Sequence, residues 1–305
     1  MGEMSGRTMP GKAGDVRRCW SPLISGATFF AEGTEDEQSP DREANALSAT
    51  AALRWNEIRA RMGARLGESW PLEAAEMLAA VAAHRDYWRP SEVRVLLLAE
   101  SHVMTTWQEF TARVPLARFG HPQAPPEFVR LVYCLGYGER NAVQGGASKN
   151  IGTPQFWKIL AACVGDLDGG SVLRRGESDW VRRVARKIAL LERLKRRGVW
   201  LLDASPVALY WGSRKKPARK LLEAALVAGW EEHSRAVVRE LSPRAVVFIG
   251  KTVFDVLGER VREVLPASTP IEWIYQPQAQ VPTIDHQADL ARLRGVVLRE
   301  GAKET

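Results

Sequence analysis

Apolar positions along the chain fall into two patterns, short and nearly continuous runs and stripes at helical spacing. The runs cover 199–202 and 245–249 without a break, and 93–99 and 271–275 with one charge each, Arg94 and Glu272. Such runs read as strands buried on both faces, as in a parallel sheet covered by helices. Between them, helical stripes occupy 155–164, 180–196, 218–241 with a break near Gly229, and 252–257, and a last one closes the chain at 285–300. Ahead of the first run, the spacing of Leu53, Ile58, Met62 and Leu66, then Ala74, Met77, Leu78 and Val81, predicts two helices. Pro71 would open the second. Strands alternating with helices imply right-handed parallel crossovers, hence the α/β class: a three-layer α/β/α sandwich around a central four-stranded parallel sheet. Residues 1–50 mix Gly, Ser, Pro and charges around one apolar island at 19–30, which predicts a flexible or loosely docked extension and leaves 51–305 as one domain.

The polar residues at the strand ends are the candidate chemistry, because ligands of open parallel sheets sit just outside the carboxyl ends of the strands. The second run ends on Asp203, a lone carboxylate before Ser205-Pro206. The first ends in Glu100-Ser101-His102, the third in Gly250-Lys251 and the fourth in Gln276-Pro277. Each has a structural alternative. Asp203 could close an Asx turn before Pro206. Glu100 could pair with an Arg, and His102 could be a loop residue without a role.

The formal net charge of +7 and pI near 9.5 favour a polyanionic partner. The basic pairs between Arg182 and Arg197 read as a solvated helix face, whereas Arg214-Lys215-Lys216 falls in a loop shortly after Asp203, where phosphate contact is the better reading. No run of about 18 uncharged apolar residues predicts a membrane span, and the N-terminus shows no signal-peptide core. Cys19, Cys134 and Cys163 are odd in number and scattered, which points to a reducing compartment, the cytoplasm, and away from a structural zinc or iron–sulfur site. His84, His121, His233 and His286 show no metal-ligand spacing, so no metal or cofactor is expected.

In their order and spacing the strand-end segments resemble the uracil-DNA glycosylase superfamily over roughly residues 93–298. Ala99-Glu100-Ser101-His102-Val103 resembles its water-activating loop, of the type G-Q-D-P-Y-H or G-E-A-P-G. Ala147-Ser148-Lys149-Asn150-Ile151 is similar to its P-S-L-x-N-I segment, and Gly198 to Asp203 to its G-V-L-L-L-N strand. The strand from Val246 to Lys251 resembles V-F-L-L-W-G-x-x-A, and Gln276-Pro277-Gln278-Ala279-Gln280 takes the place of H-P-S-P-L. Three positions depart from the pattern. Ser101 stands where one branch has its water-orienting Asp, Gln276 replaces the His that stabilises the departing base, and the cluster-binding cysteines of the G-E-A-P-G branch are missing.

The resemblance implies a monofunctional, metal-independent DNA glycosylase that flips out a nucleotide and hydrolyses its N-glycosidic bond, working as a monomer on DNA. Glu100 would orient the water, with Gln276 and His102 stabilising the leaving base. Asp203, Asn150 and Tyr137 would hold the base, Tyr137 by stacking. Ser148, Lys149, Arg214, Lys215, Lys251, Gln278 and Gln280 would meet the DNA, and Val281 or Gln278 could enter the base stack. Where the family usually has Asn, Asp203 can only accept hydrogen bonds when ionised, which suits the exocyclic amine of a cytosine-type base. A modified cytosine is the favoured substrate, resembling anti-phage glycosylases that remove glucosylated hydroxymethylcytosine. Uracil in base-excision repair is the alternative if Asp203 is protonated. Ser101 and Gln276 would instead suit a DNA-binding module that has lost catalysis, and a hydrolase of small nucleotides is a third class.

Overall fold

The computed structural model describes residues 40–67, 70–145, 152–167, 169–170, 172–173, 179–211, 217–277, 279 and 285–302, with side chains from residue 53 onward. The chain divides into two compact units, Met1–Glu43 and Ala44–Thr305. The described part of the smaller unit is the start of helix α1 (Pro40–Leu66). Then follow α2 (Ala75–Tyr87), β1 (Val95–Ala99), the one-turn α3 (Trp107–Phe110), α4 (Pro154–Cys163), α5 (Trp180–Arg197) and β2 (Val199–Asp203). The chain continues through α6 (Arg219–Gly229), α7 (Arg235–Leu241), β3 (Ala245–Ile249), α8 (Lys251–Arg262), β4 (Ile271–Ile274) and α9 (His286–Glu300).

All four apolar runs form strands, and they pair in parallel in the order β2-β1-β3-β4. Residues of β1, β2 and β3 are buried throughout, as expected of runs with no polar face, while the edge strand β4 is mostly half-buried. Helix α8 lies against β3 and β4 and packs on α6. Helix α9 lies against β1, β3 and β4 and packs on α4, which in turn packs on α5. Helices on two sides of an all-parallel sheet are compatible with a three-layer sandwich. Among the described residues, no helix is long and apolar enough to cross a membrane.

Two boundaries differ from the expectation. Helix α1 begins at Pro40, well before Leu53 where the predicted stripe starts, so the 1–50 extension is helical in its last part. Helix α2 begins at Ala75 instead of Pro71, because Ala74 is still extended, with φ −63° and ψ 151°. The break near Gly229 is a turn of π-helix, Trp230–Ser234, between α6 and α7. It swings the Ser234 hydroxyl onto the backbone oxygens of Ala204 (2.8 Å) and Asp203 (3.3 Å), tying this helical pair to the end of β2.

The same junction explains why residue 229 is glycine. A Cβ there would meet the Ala204 oxygen at 2.8 Å, the Ser205 Cα at 2.8 Å and the Pro206 Cδ at 2.9 Å. Backbone atoms cannot swing aside. Gly229→Ala is expected to cost about 1–3 kcal/mol in urea unfolding. Gly295→Ala is its control: the added Cβ meets only the Arg299 side chain, at 3.5 Å, in the middle of α9. That variant is expected to be neutral or to stabilise by up to about 1 kcal/mol.

The basic residues of α5 are less solvated than their spacing suggests. Arg183 and Lys187 each reach the buried Glu139 at 2.8 Å, and the Lys195 ammonium donates to the Tyr87 carbonyl at 3.1 Å. Arg182 and Arg196 are the exposed ones.

Candidate functional site

In a sheet ordered β2-β1-β3-β4, the chain leaves β1 toward one side and β3 toward the other, which opens a crevice at the carboxyl ends of these two central strands. Glu100 follows β1 and Gly250 follows β3 at this point. Gly250 takes φ +112°, and its N–H donates to the Ile274 carbonyl at 2.8 Å. A Cβ on Gly250 would sit 3.6 Å from the Gln276 side-chain nitrogen, so the Gln276 amide lies over the end of β3. Three of the predicted strand-end residues therefore share one edge, in the order Glu100, Gly250, Gln276.

Glu100 is buried, and the Tyr210 hydroxyl donates to its Oε2 at 2.6 Å. Burial and the adjacent carboxylate both push the Tyr210 phenol up, so it remains a donor. Tyr210 is itself placed by backbone. The Met104 N–H donates to its carbonyl at 2.9 Å, and nearer the strands the Ala204 and Ser205 N–H groups donate to Ala99 and Glu100 carbonyls at 2.7 and 3.0 Å. The segments leaving β1 and β2 are thus joined side by side. Ser101 serves that junction: its hydroxyl donates to the His102 carbonyl and accepts from the Leu209 N–H.

Beneath this pair lies a buried chain of alternating charge. The Arg85 guanidinium donates to Asp203 Oδ2 at 2.6 Å, and the two side chains are 3% and 2% exposed. His102 stands 3.6 Å from the same oxygen through Nδ1, an ion-pair contact longer than a hydrogen bond. Its Nε2 bonds Glu73 Oε2 at 2.7 Å. Glu73 also accepts from the Thr105 N–H on Oε1 (3.0 Å) and the Ala208 N–H on Oε2 (3.2 Å). Its backbone carbonyl takes the Arg59 Nε–H at 2.8 Å. One carboxylate just ahead of α2 therefore holds the loops that follow both β1 and β2.

Charges removed from water each cost several kcal/mol, and only close, opposite partners offset this. Burial alone would raise the Asp203 carboxyl, but Arg85 and His102 hold it below the usual carboxylate range. Burial would lower His102, yet Glu73 and Asp203 hold it up, to about 9. The imidazole is then a cation at neutral pH that donates Nε2–H to Glu73. Because the folded value lies above the unfolded one near 6.5, this contribution to stability is complete below pH 6.5 and is lost as pH rises through about 9. Asp203 has the opposite sign: its contribution is present above about pH 3.9 and is lost as pH falls through its depressed value. An NMR titration of the His102 ring is expected to show loss of the proton near pH 9. A midpoint near 6.5 would mean that the ring does not face the two carboxylates.

This geometry changes the reading of two residues. The Asp203 carboxylate is engaged inside the protein by Arg85, with His102 beside it, so it is not an acceptor standing open at a base edge. The His102 side chain is fully buried between carboxylates, so it supports the site from beneath and does not touch a leaving base. Tyr137 is also buried, its ring edge-on to Phe128 with centroids 6.3 Å apart, which makes it a core aromatic in this structure. Lys251 is exposed but bonded to the Asp255 carboxylate at 2.6 and 2.8 Å, an acid with which a phosphate would compete. Asn150, Ser148, Lys149, Arg214, Lys215, Gln278, Gln280 and Val281 lie outside the described residues.

Glu73, Arg85 and Tyr210 are the residues that sequence reasoning passed over. Arg85 had a usable signal, since it falls on the same buried stripe of α2 as Met77, Leu78 and Val81, where a charge needs a partner. Glu73 and Tyr210 sit in loops without periodicity. No model of a known protein family matches this chain, and no curated protein matches it.

Proposed function

We propose that the protein is a DNA glycosylase with Glu100 as its water-orienting group. The observation that carries this reading is the Glu100–Tyr210 pair at the crevice between β1 and β3, with Gln276 across Gly250 on the same edge. The strand-end resemblance to the uracil-DNA glycosylase fold and the net charge of +7 support it.

Hydrolysis of an N-glycosidic bond builds positive charge on the sugar and negative charge on the departing base. Water attacks C1′ as the C1′–N bond breaks, and the bonding electrons leave with the base. A carboxylate at Glu100 accepts the water proton and faces the sugar's positive charge, while Tyr210 fixes the plane of the carboxyl group. The Gln276 amide is the donor for the base's developing charge. The proton taken from water ends on the released base, which balances the reaction without a cofactor. The buried chain from Glu73 to Arg85 keeps the loops that carry Glu100 and Tyr210 in register.

Preference for a modified cytosine drew on an open Asp203 carboxylate, which the ion pair with Arg85 occupies. The proposal therefore extends to the glycosylase reaction and leaves the base to experiment. Duplexes carrying uracil, hypoxanthine or modified cytosines, incubated with the protein and treated with alkali, are expected to be cleaved at one or more of these bases. An absence of alkali-labile sites across the panel would remove the enzyme reading and favour a DNA-binding module.

A further inference from the structure

The loop that leaves the carboxyl end of β1 carries Trp107, which is 61% exposed. Trp ordinarily gives most of its surface to the protein. The turn beneath it is firmly built. The Thr106 hydroxyl accepts from the Glu109 N–H at 3.3 Å, and the Glu109 carboxylate accepts from the Thr106 N–H and hydroxyl at 3.0 Å each. Arg130 holds the other carboxylate oxygen at 2.6 and 3.0 Å. The Phe110 ring lies beside the indole, 5.8 Å between centroids.

Three residues after Phe110, the side chain of the exposed Arg113 makes long contacts to the Phe110 and Ala112 carbonyls, at 3.4 and 3.5 Å. Among the described residues no carboxylate lies within 4 Å of it. Its backbone pairs with Gln144 in both directions at 2.8 Å.

Glu127 is the antiparallel bridge partner of Arg113, with no salt bridge between the two side chains, and the guanidinium reaches the last carbonyl of the one-turn helix that Trp107 opens. An exposed aromatic and an exposed cation on one turn can hold a single strand, because every base has a face to stack and every link a phosphate. We propose that Trp107 and Arg113 form a nucleic-acid contact in which the indole stacks on an unpaired base and the guanidinium takes a phosphate of the same strand. Bases inside a duplex have both faces covered, so the occupant is a single strand or a strand opened by base flipping. The choice of DNA rests on the glycosylase reading.

Fluorescence anisotropy with a labelled oligothymidylate tests this. Wild type is expected to bind, Trp107→Ala to weaken binding about 5- to 150-fold, and Trp107→Phe to regain most of it. Arg113→Ala is expected to flatten the slope of log affinity against log salt by about 0.7, one phosphate's worth for a single strand. Both side chains are exposed, so circular dichroism should be unchanged. Unaltered affinity in Trp107→Ala overturns the contact and leaves the glycosylase reading to its own turnover assay. Strand binding that depends on Trp107, without base release from any duplex, upholds the contact and removes the glycosylase reading. A wild type that binds no DNA overturns both. Loss of a dimer in sedimentation, with DNA affinity intact, assigns the indole to a contact between two copies and also overturns the proposal.

Discussion

Glu100→Gln is expected to lower turnover about 10²- to 10⁴-fold, the usual contribution of a positioned general base, while DNA affinity stays near that of wild type. The amide keeps the size of the side chain and can still accept from the Tyr210 hydroxyl, which donates at 2.6 Å in the wild type. It cannot take a proton from water or face a cationic sugar with negative charge. Single-turnover rates on a cleaved duplex, with anisotropy on the same duplex, separate the two effects. Equal loss of affinity and rate would mean that Glu100 holds the DNA or the fold, not the water.

The largest expected effect on stability comes from Arg85→Met. Asp203 would then be a buried carboxylate, 2% exposed, with His102 at 3.6 Å as its remaining cationic neighbour. Breaking one side of a buried pair costs about 3–5 kcal/mol, most of it the cost of stranding the other charge. Urea unfolding should show that loss in Arg85→Met. The double variant Arg85→Met/Asp203→Asn should regain a good part of it, since the stranded charge is removed with its partner. If the double variant is as unstable as the sum of the two single variants, Arg85 and Asp203 are not coupled and the buried chain is misassigned.

The strands were legible because short, nearly continuous apolar runs have few other solutions, and the long helices because their stripes extend over several turns. The break at Gly229 was visible too, although nothing in the pattern distinguishes a π-helical turn from a loop. Boundaries at Pro40 and Ala75 were missed where helix and extended backbone depend on what packs against them. The strand-end residues were correctly placed at one edge, since an all-parallel sheet delivers them there.

What each of those residues does was much less legible. Asp203 meets Arg85 across 118 residues and His102 meets Glu73 across 29, and no local spacing reports such pairings. A carboxylate at a strand end reads the same whether it faces a ligand or a buried guanidinium. The difference lies in α2, which places Arg85 on an apolar face. Tyr210 likewise reads as one aromatic in a loop until the segments after β1 and β2 are seen side by side.

The central claim is that Glu100, held by Tyr210 at the end of β1, drives hydrolysis of a base from DNA. Mass spectrometry of the small molecules released from a modified-base duplex panel, run in parallel for wild type and Glu100→Gln, tests it most directly. Free base in equal amount to abasic sites, present with wild type and nearly absent with the variant, is the predicted result. Release of no base by wild type, or of as much base by Glu100→Gln, would contradict it.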